Sequence, residues 1–303
     1  MEYQFHIVGL GEALFDIFSN RQVLAGAPLN TAVHAHQLAS AHGGCGVVVS
    51  RVGQDELGAR VRNEIAGFGM SIDYLQDDPD HPTGKVYVTV DDDGQPDYEI
   101  VEGVAWDWLQ WDPETVEIAH RCDVVCFTSL AQRVGQSRNT IWRFLTEARG
   151  AEKIFDLTLR QHYYNQNILR RSCELATIVK LNLDELDVLA IEINLHGDSV
   201  DDKAKALLCR YDLRLVVLTR GKDGTVIYTP SHRFEGVPAS CKPVEGADTV
   251  GAGDACTASI AVGLALQMPL QKIADLANQA GAFVASVPGS TPTLPESILG
   301  IVK

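Results

Sequence analysis

Positive charge and paired cysteines are scarce in this sequence, and no long run is purely apolar. The uncharged stretch from Ala255 to Gln271 carries Thr257, Ser259, Gln267 and Pro269. That composition reads as a buried helix, so no membrane span is expected. Lys and Arg total 25 against 40 Asp and Glu, a net charge of −15 over 303 residues. So acidic a body repels phosphodiester backbones, and no dense basic run reverses the field locally, which excludes nucleic acid as a partner. An anionic small ligand stays open where local donors or a metal overcome the field. The cysteines, at 45, 122, 126, 173, 209, 241 and 256, are odd in number and form no C-x-x-C pair. They predict reduced, mostly buried thiols and a cytoplasmic protein, in keeping with an N-terminus (MEYQFHIVGLGE) that has no basic region before its short apolar run.

Several chemical signatures are missing too. There is no G-x-x-x-x-G-K-[ST], no G-x-S-x-G and no H-E-x-x-H. Gly9-Leu10-Gly11-Glu12-Ala13-Leu14 starts like a dinucleotide fingerprint, but it lacks the third glycine and runs on into strand-like residues. His34 and His36 are two apart on a helix and face different ways, so they make poor joint metal ligands.

What is present is a globular composition: 46% hydrophobic, 21% charged, mean hydropathy −0.01. Short apolar runs alternate with amphipathic segments. Phe5–Gly9, Gly46–Val49, Val124–Phe127, Ile154–Leu157, Ile178–Leu181 and Leu215–Leu218 read as buried strands. Leu29–Leu38, Glu56–Phe68, Asn139–Ala148 and Val200–Arg210 read as helices between them. Such alternation predicts an α/β fold with a mostly parallel sheet covered on both faces. Two segments break the rhythm. Ala13–Leu24 is strand-like with no helix before it, and Lys85–Val90 alternates, meets Asp91-Asp92-Asp93-Gly94, and returns as Tyr98–Val101, a hairpin signal. Strands leaving the sheet in this way predict a small β lid. Trp106, Trp108 and Trp111 follow it and are expected to pack lid onto body.

The strongest chemical signal is Asp248-Thr249-Val250-Gly251-Ala252-Gly253-Asp254, leading into the small-residue helix Ala255–Leu266. Two glycines one residue apart permit a tight path into a helix. The amides of Ala252, Gly253 and Asp254 then become unpaired first-turn donors, a site for phosphate or a developing oxyanion. A carboxylate in the same turn is expected to stay ionised through the helix dipole, which suits a base. The plainer reading, a turn plus an N-cap, would win for an isolated G-x-G-D; here the acid and the donors open the same apolar helix.

This segment resembles the C-terminal signature of the ribokinase-like (PfkB) carbohydrate kinases, and further pieces follow in that family's order. Gly11-Glu12-Ala13-Leu14-Phe15-Asp16 is similar to the opening of fructokinase-like members. Gly26-Ala27-Pro28-Leu29-Asn30-Thr31-Ala32-Val33 is similar to their sugar-contacting segment. Arg51-Val52-Gly53-Gln54-Asp55-Glu56-Leu57-Gly58 resembles R-V-G-x-D-x-x-G, Asn182-Leu183-Asp184-Glu185 resembles N-x-x-E, and Thr219-Arg220-Gly221-Lys222-Asp223-Gly224 resembles T-x-G-x-x-G. The resemblance implies one three-layer ribokinase-like α/β domain over 1–303, its lid strands drawn from about 12–24 and 85–102. It implies ATP-dependent phosphorylation of a small neutral sugar, with Asp254 as base and the amides at 251–254 as anion hole. Asp16, Gly26, Ala27, Asn30, Tyr98 and Arg160 would meet the sugar. Asn182, Thr219, Gly221, Gly224 and Asn278 would meet the nucleotide. Glu185 would reach Mg²⁺ through water, since one carboxylate beside one amide suits a mostly hydrated ion. A monovalent cation such as K⁺ beside Asp248, and a homodimer through the lid strands, are implied in the same way. A nucleoside or other small-alcohol kinase, or a non-catalytic sugar- or nucleotide-binding relative, are the alternatives.

Three departures from the family pattern stand out. Ala25 replaces a glycine at the presumed hinge, Thr158 replaces the asparagine of D-x-N-x-R, and few residues separate Asp16 from Gly26, so the first lid strands should be short. Glu99 and Glu102 in the hairpin return argue against an anionic sugar.

Overall fold

The computed structural model describes residues 3–90 and 96–302. Its main sheet has nine strands. In chain order the strands of the protein are β1 (Phe5–Leu10), β2 (Leu14–Ile17), β3 (Gln22–Ala25), β4 (Gly44–Gly53), β5 (Leu75–Asp78), β6 (Gly84–Val90), β7 (Pro96–Ile100), β8 (Val124–Thr128), β9 (Glu152–Asp156), β10 (Ile178–Asn182), β11 (Leu215–Thr219), β12 (Thr225–Tyr228) and β13 (Arg233–Glu235). The main sheet runs β13-β12-β11-β10-β9-β8-β1-β4-β5. It is parallel from β11 across to β5, and β12 and β13 are added antiparallel at one edge.

The helices are α1 (Ala27–Ala39), α2 (Glu56–Gly67), α3 (Pro113–Arg121), α4 (Gly135–Glu147), α5 (Gln166–Leu175), α6 (Leu183–Ile193), α7 (Val200–Tyr211), α8 (Ala252–Ala265), α9 (Leu270–Val284) and α10 (Glu296–Leu299). Strand residues alternate between two cores. Val8, Val125, Phe155, Val179 and Val216 pack with α3 to α7, whereas Ile7, Val124, Ile154, Ile178 and Val217 pack with α1, α8 and α9. Both faces are therefore buried, which is why these strands read as continuous Val/Ile/Leu runs.

A second, four-stranded sheet, β3-β2-β6-β7, forms the lid. β2 and β3 have four residues each, as the short spacing required. The arms of the expected hairpin pair antiparallel as β6 and β7, while the Asp91–Gly94 turn lies outside the described residues. Of the three tryptophans only Trp106 joins lid to body, packed with Leu14, Ala25, Val86 and Leu130. Trp108 stacks on His81 at 4.6 Å and Trp111 packs against Phe144, so the expectation for those two is corrected. Ala25 does not carry a positive φ, so the absent glycine costs nothing there. No described helix is long and apolar enough to cross a membrane.

Candidate active site

The carboxyl ends of β8, β9, β10 and β11 deliver Thr128, Asp156, Asn182 and Thr219 to one edge of the main sheet, where open α/β sheets bind ligands. A cavity of about 500 Å³ opens there between sheet and lid. Among the expected sugar contacts, Asp16, Gly26, Ala27, Asn30, Tyr98 and Arg160 all line it. A second cavity of about 720 Å³ lies beyond the end of β11 and holds Thr219, Gly221, Gly224 and Asn278. The two meet at Asn182, Thr219, Thr249 and Gly253, which belong to both.

The start of α8 stands at that junction. Gly251 has φ 80°, and a side chain there would come 2.2 Å from the Ser290 carbonyl. The amides of Gly253 and Asp254 find no partner among the described residues, whereas that of Ala252 donates to the Thr249 carbonyl at 3.3 Å. The donor set is thus smaller than the three amides the sequence suggested. Ala252 sits in the first turn and so drops out through a local turn bond.

Asp254 faces the sugar cavity, and its Oδ2 accepts the Asn30 side-chain amide at 2.8 Å. Burial pushes its carboxyl up to about 6; the Asn30 bond opposes this, Asp156 adds to it, and Lys180 and Arg160 pull it back. Burial thus works against the ionised form expected of this acid, which at about 6 is still a carboxylate near neutral pH. Asn30 is almost fully buried, and its Oδ1 has no partner among the described residues. Asp16 lies within β2, in the segment expected to be strand. Its carboxyl is raised to about 6 by burial, against Arg160 and with help from Asp248 and Asp254. Arg160 is exposed at the rim, one guanidinium nitrogen donating to the Leu159 carbonyl at 3.2 Å.

Asn182 and Glu185 form a reciprocal cap on α6. Asn182 Oδ1 accepts the Glu185 amide at 2.8 Å, and Glu185 Oε2 accepts the Asn182 amide at 2.9 Å. Glu185 Oε1 accepts the Leu159 amide at 3.1 Å. Among the described residues no three His, Cys, Asp or Glu side chains come together to hold a metal. The donor set therefore suits Mg²⁺ carried mainly by nucleotide and water, with Glu185 and Asn182 in the outer shell. Asp248 lines neither cavity. One of its oxygens accepts the Val250 amide at 3.1 Å and the other pairs with Arg21 of the lid at 3.5 Å. Asn278 is buried on α9, its amide donating to the Val237 carbonyl at 2.9 Å. Glu99 and Glu102 do not line the sugar cavity; Glu102 accepts the Tyr163 hydroxyl at 3.0 Å. The acidic groups that do face the cavity lie deeper in the cleft.

Several deeper residues went unassigned in the sequence reading. Glu12, 1% exposed, accepts the Thr128 hydroxyl at 2.9 Å and is raised to about 7 by burial, against its own amide and Thr128. Lys180 and Asp156 form a buried ion pair at 2.9 Å. Thr158 lines the same cavity with φ 43°. A signal existed for two of them: Glu12 lies just past the end of β1, after Gly11, and Lys180 is a lone charge inside an apolar strand.

A main sheet covered on both faces, a four-stranded lid, and a helix start opening where two cavities meet define the three-layer ribokinase-like architecture of sugar kinases. The likeness extends to known proteins. The fructokinase of Escherichia coli is 27% identical over 94% of this chain and 95% of its own. A crystal structure of fructokinase with bound ATP from Xylella fastidiosa superposes with a TM-score of 0.82 at 21% identity, covering 98% of each chain. A fructokinase double mutant from Vibrio cholerae O395, bound to fructose, ADP and potassium ion, gives 0.78 at 21% identity over 100% of both chains. Residues 5–297 match the pfkB family carbohydrate kinase, and the chain belongs to that family of sugar kinases.

Proposed function

We propose that the protein transfers the γ-phosphoryl group of ATP to a primary hydroxyl of a small neutral sugar, a ketohexose such as fructose. The observation that carries this reading is the junction itself: a carboxylate in the sugar cavity beside two amides that have no partner among the described residues, at the boundary with a second cavity of nucleotide size. Asp254 takes the hydroxyl proton, and the oxygen attacks the γ-phosphorus in line. The Gly253 and Asp254 amides meet the charge spreading over the phosphoryl oxygens. Bound Mg²⁺ would neutralise charge on the phosphate oxygens, with Asn182 and Glu185 holding its water. A monovalent cation beside the Asp248 loop belongs to the same reading, and no step depends on it. The lid excludes water from the transfer, which limits futile ATP hydrolysis.

Tyr98 is the sole aromatic side chain among the described residues lining the sugar cavity, which disfavours a nucleoside. The whole chain reads as one domain working in the cytoplasm, with five of its seven cysteines buried as free thiols. β3 and β7 are lid edges, and Tyr87 and Tyr98 lie exposed on the lid, so a homodimer through these strands is part of the proposal. The test is Asp254→Asn, read by ADP release across a panel of sugars. A fall in kcat of about 10²–10⁴ with nucleotide still bound is expected for loss of a general base. Near-normal turnover would remove Asp254 from the role, and a wild-type protein silent on every sugar would remove the reading.

A further inference from the structure

Among the described residues, Lys180 is the one buried cation that lines either cavity. It rises from β10 among Ile178, Val179 and Leu181, and it is only 6% exposed. Its Nζ donates to both oxygens of Asp156, at 3.1 and 2.9 Å. Asp156 is fixed from a third element: Thr257 of α8 donates its hydroxyl to Asp156 Oδ2 at 2.7 Å. Thr257 lies one helical turn past Gly253, and the same hydroxyl proton is within reach of the Gly253 carbonyl, at 3.1 Å. The ammonium is thereby tied to the helix start that presents the free amides. A Cβ placed on Gly253 would sit 3.2 Å from Lys180 Nζ, so the charge lies directly beside that residue. Lys180 also lines the cavity that holds Asp254.

A salt bridge whose task is to stabilise has no need of a ligand cavity. Burying such a pair costs several kcal/mol in desolvation, and apolar residues of similar size often do as well or better. Burial alone would lower the Lys180 ammonium, but the Asp156 carboxylate prevails and holds it above its usual value. The cation is therefore permanent at the pH of the reaction. Two of its three protons go to Asp156, which leaves one for a group entering the cavity.

On the reading of the site given above, we propose that Lys180 is a further catalytic residue: its ammonium, oriented by Asp156 and Thr257, meets the phosphoryl group during transfer. The oxygen–phosphorus bond to the sugar forms as the bond to the ADP oxygen breaks. The proton leaves the hydroxyl for Asp254, and Lys180 keeps its own protons throughout. It acts by charge, in a dry site where charge is worth most. Asp156, which acts through Lys180, is a positioning residue.

Lys180→Met alone would strand a buried carboxylate, so the primary variant is Lys180→Met with Asp156→Asn, which removes both charges. It should fold, bind ADP and fructose with unchanged affinity, and lose kcat by about 10²–10³, the scale for one preorganised electrostatic contact. Capture of ADP, fructose and aluminium fluoride as a tight complex should be lost with it. A folded variant with kcat within tenfold of wild type overturns the proposal, even if Asp254→Asn is inactive and the sugar kinase reading stands. A second measurement needs no substitution. In wild-type protein labelled with ¹⁵N-lysine, the Lys180 ammonium resonance should move when ADP, fructose and aluminium fluoride are added together and stay in place with ADP alone. No movement overturns the proposal as well.

Discussion

Asp254 is placed to act as a base, and its surroundings discourage ionisation. Its carboxyl is lifted from 3.8 to about 6, with burial as the leading cause. Only the carboxylate can take a proton, so kcat should climb with pH through about 6 and level off above it. Stability runs the other way. Between the unfolded and folded values the native state binds the extra proton, so the protonated form favours folding and that stability is lost as pH rises through about 6. At about 1.4 kcal/mol per pH unit, reduced for the open cleft, the effect is about 1–2 kcal/mol for this side chain. Asp254→Asn should therefore raise the thermal midpoint by roughly 2–5 °C at pH 7.5 and leave it nearly unchanged at pH 4; a lower midpoint at pH 7.5 would show the carboxylate to be well accommodated. A second strain lies at Thr158, whose φ of 43° is a conformation that β-branched residues resist. Asparagine tolerates it, so Thr158→Asn should stabilise the fold by about 0.5–1 kcal/mol in urea unfolding and keep the enzyme active. The sequence marked Thr158 as an unusual substitution, but a backbone angle is imposed by the loop after β9 and leaves no trace in residue type.

At the scale of elements, the start of α8 separates two glycines that look equivalent in the motif. A methyl group on Gly251 would strike the Ser290 carbonyl at 2.2 Å, on a backbone that already has φ 80°. On Gly253 it would meet only the Lys180 ammonium, at 3.2 Å, and no backbone atom. Gly251→Ala should cost about 2–4 kcal/mol in urea unfolding. Gly253→Ala should be neutral or gain up to about 1 kcal/mol, because alanine is the better helix former. Equal losses would mean that the helix start is not packed against the Ser290 loop as described. Elements with one clear period were readable beforehand: α2, α7 and the β6–β7 pair fall where alternation or helical spacing put them. β4 was read short, ending at Val49, because Ser50 and Arg51 interrupt the apolar run. The strand continues to Gly53 since Arg51 is buried against Asp78 at 3.0 Å and donates to the Trp108 carbonyl at 2.6 Å. Only tertiary partners make that arginine acceptable in a core, and a linear pattern does not display them. The same holds for Lys180 and Asp156, which pair across the neighbouring strands β9 and β10 and face each other only through the sheet register.

For the molecule as a whole, the net charge of −15 has a local counterpart. Glu12, Asp16, Asp156, Glu185 and Asp254 line the sugar cavity against Arg160 and Lys180. Asp156 and Lys180 satisfy each other, which leaves an excess of acid facing the substrate. A carboxylate brought within about 6 Å of one uncompensated carboxylate, at an effective dielectric of about 20, is repelled by about 3 kcal/mol, or roughly 100-fold in kcat/KM. Fructose should accordingly be phosphorylated at least about 100-fold better than 2-keto-3-deoxygluconate in a coupled ADP assay. Glu12 and Asp16 both hold their protons into the range of about 6 to 7, so the discrimination should widen from pH 6 to pH 8 as the two carboxyls ionise. Added salt should narrow it little, because charges inside a lidded cavity are poorly screened. A preference for the acid sugar would mean that Arg160 turns inward from the rim and dominates the field. Loss of that preference in Arg160→Gln would then identify the guanidinium, rather than the acidic floor, as the group that selects the substrate.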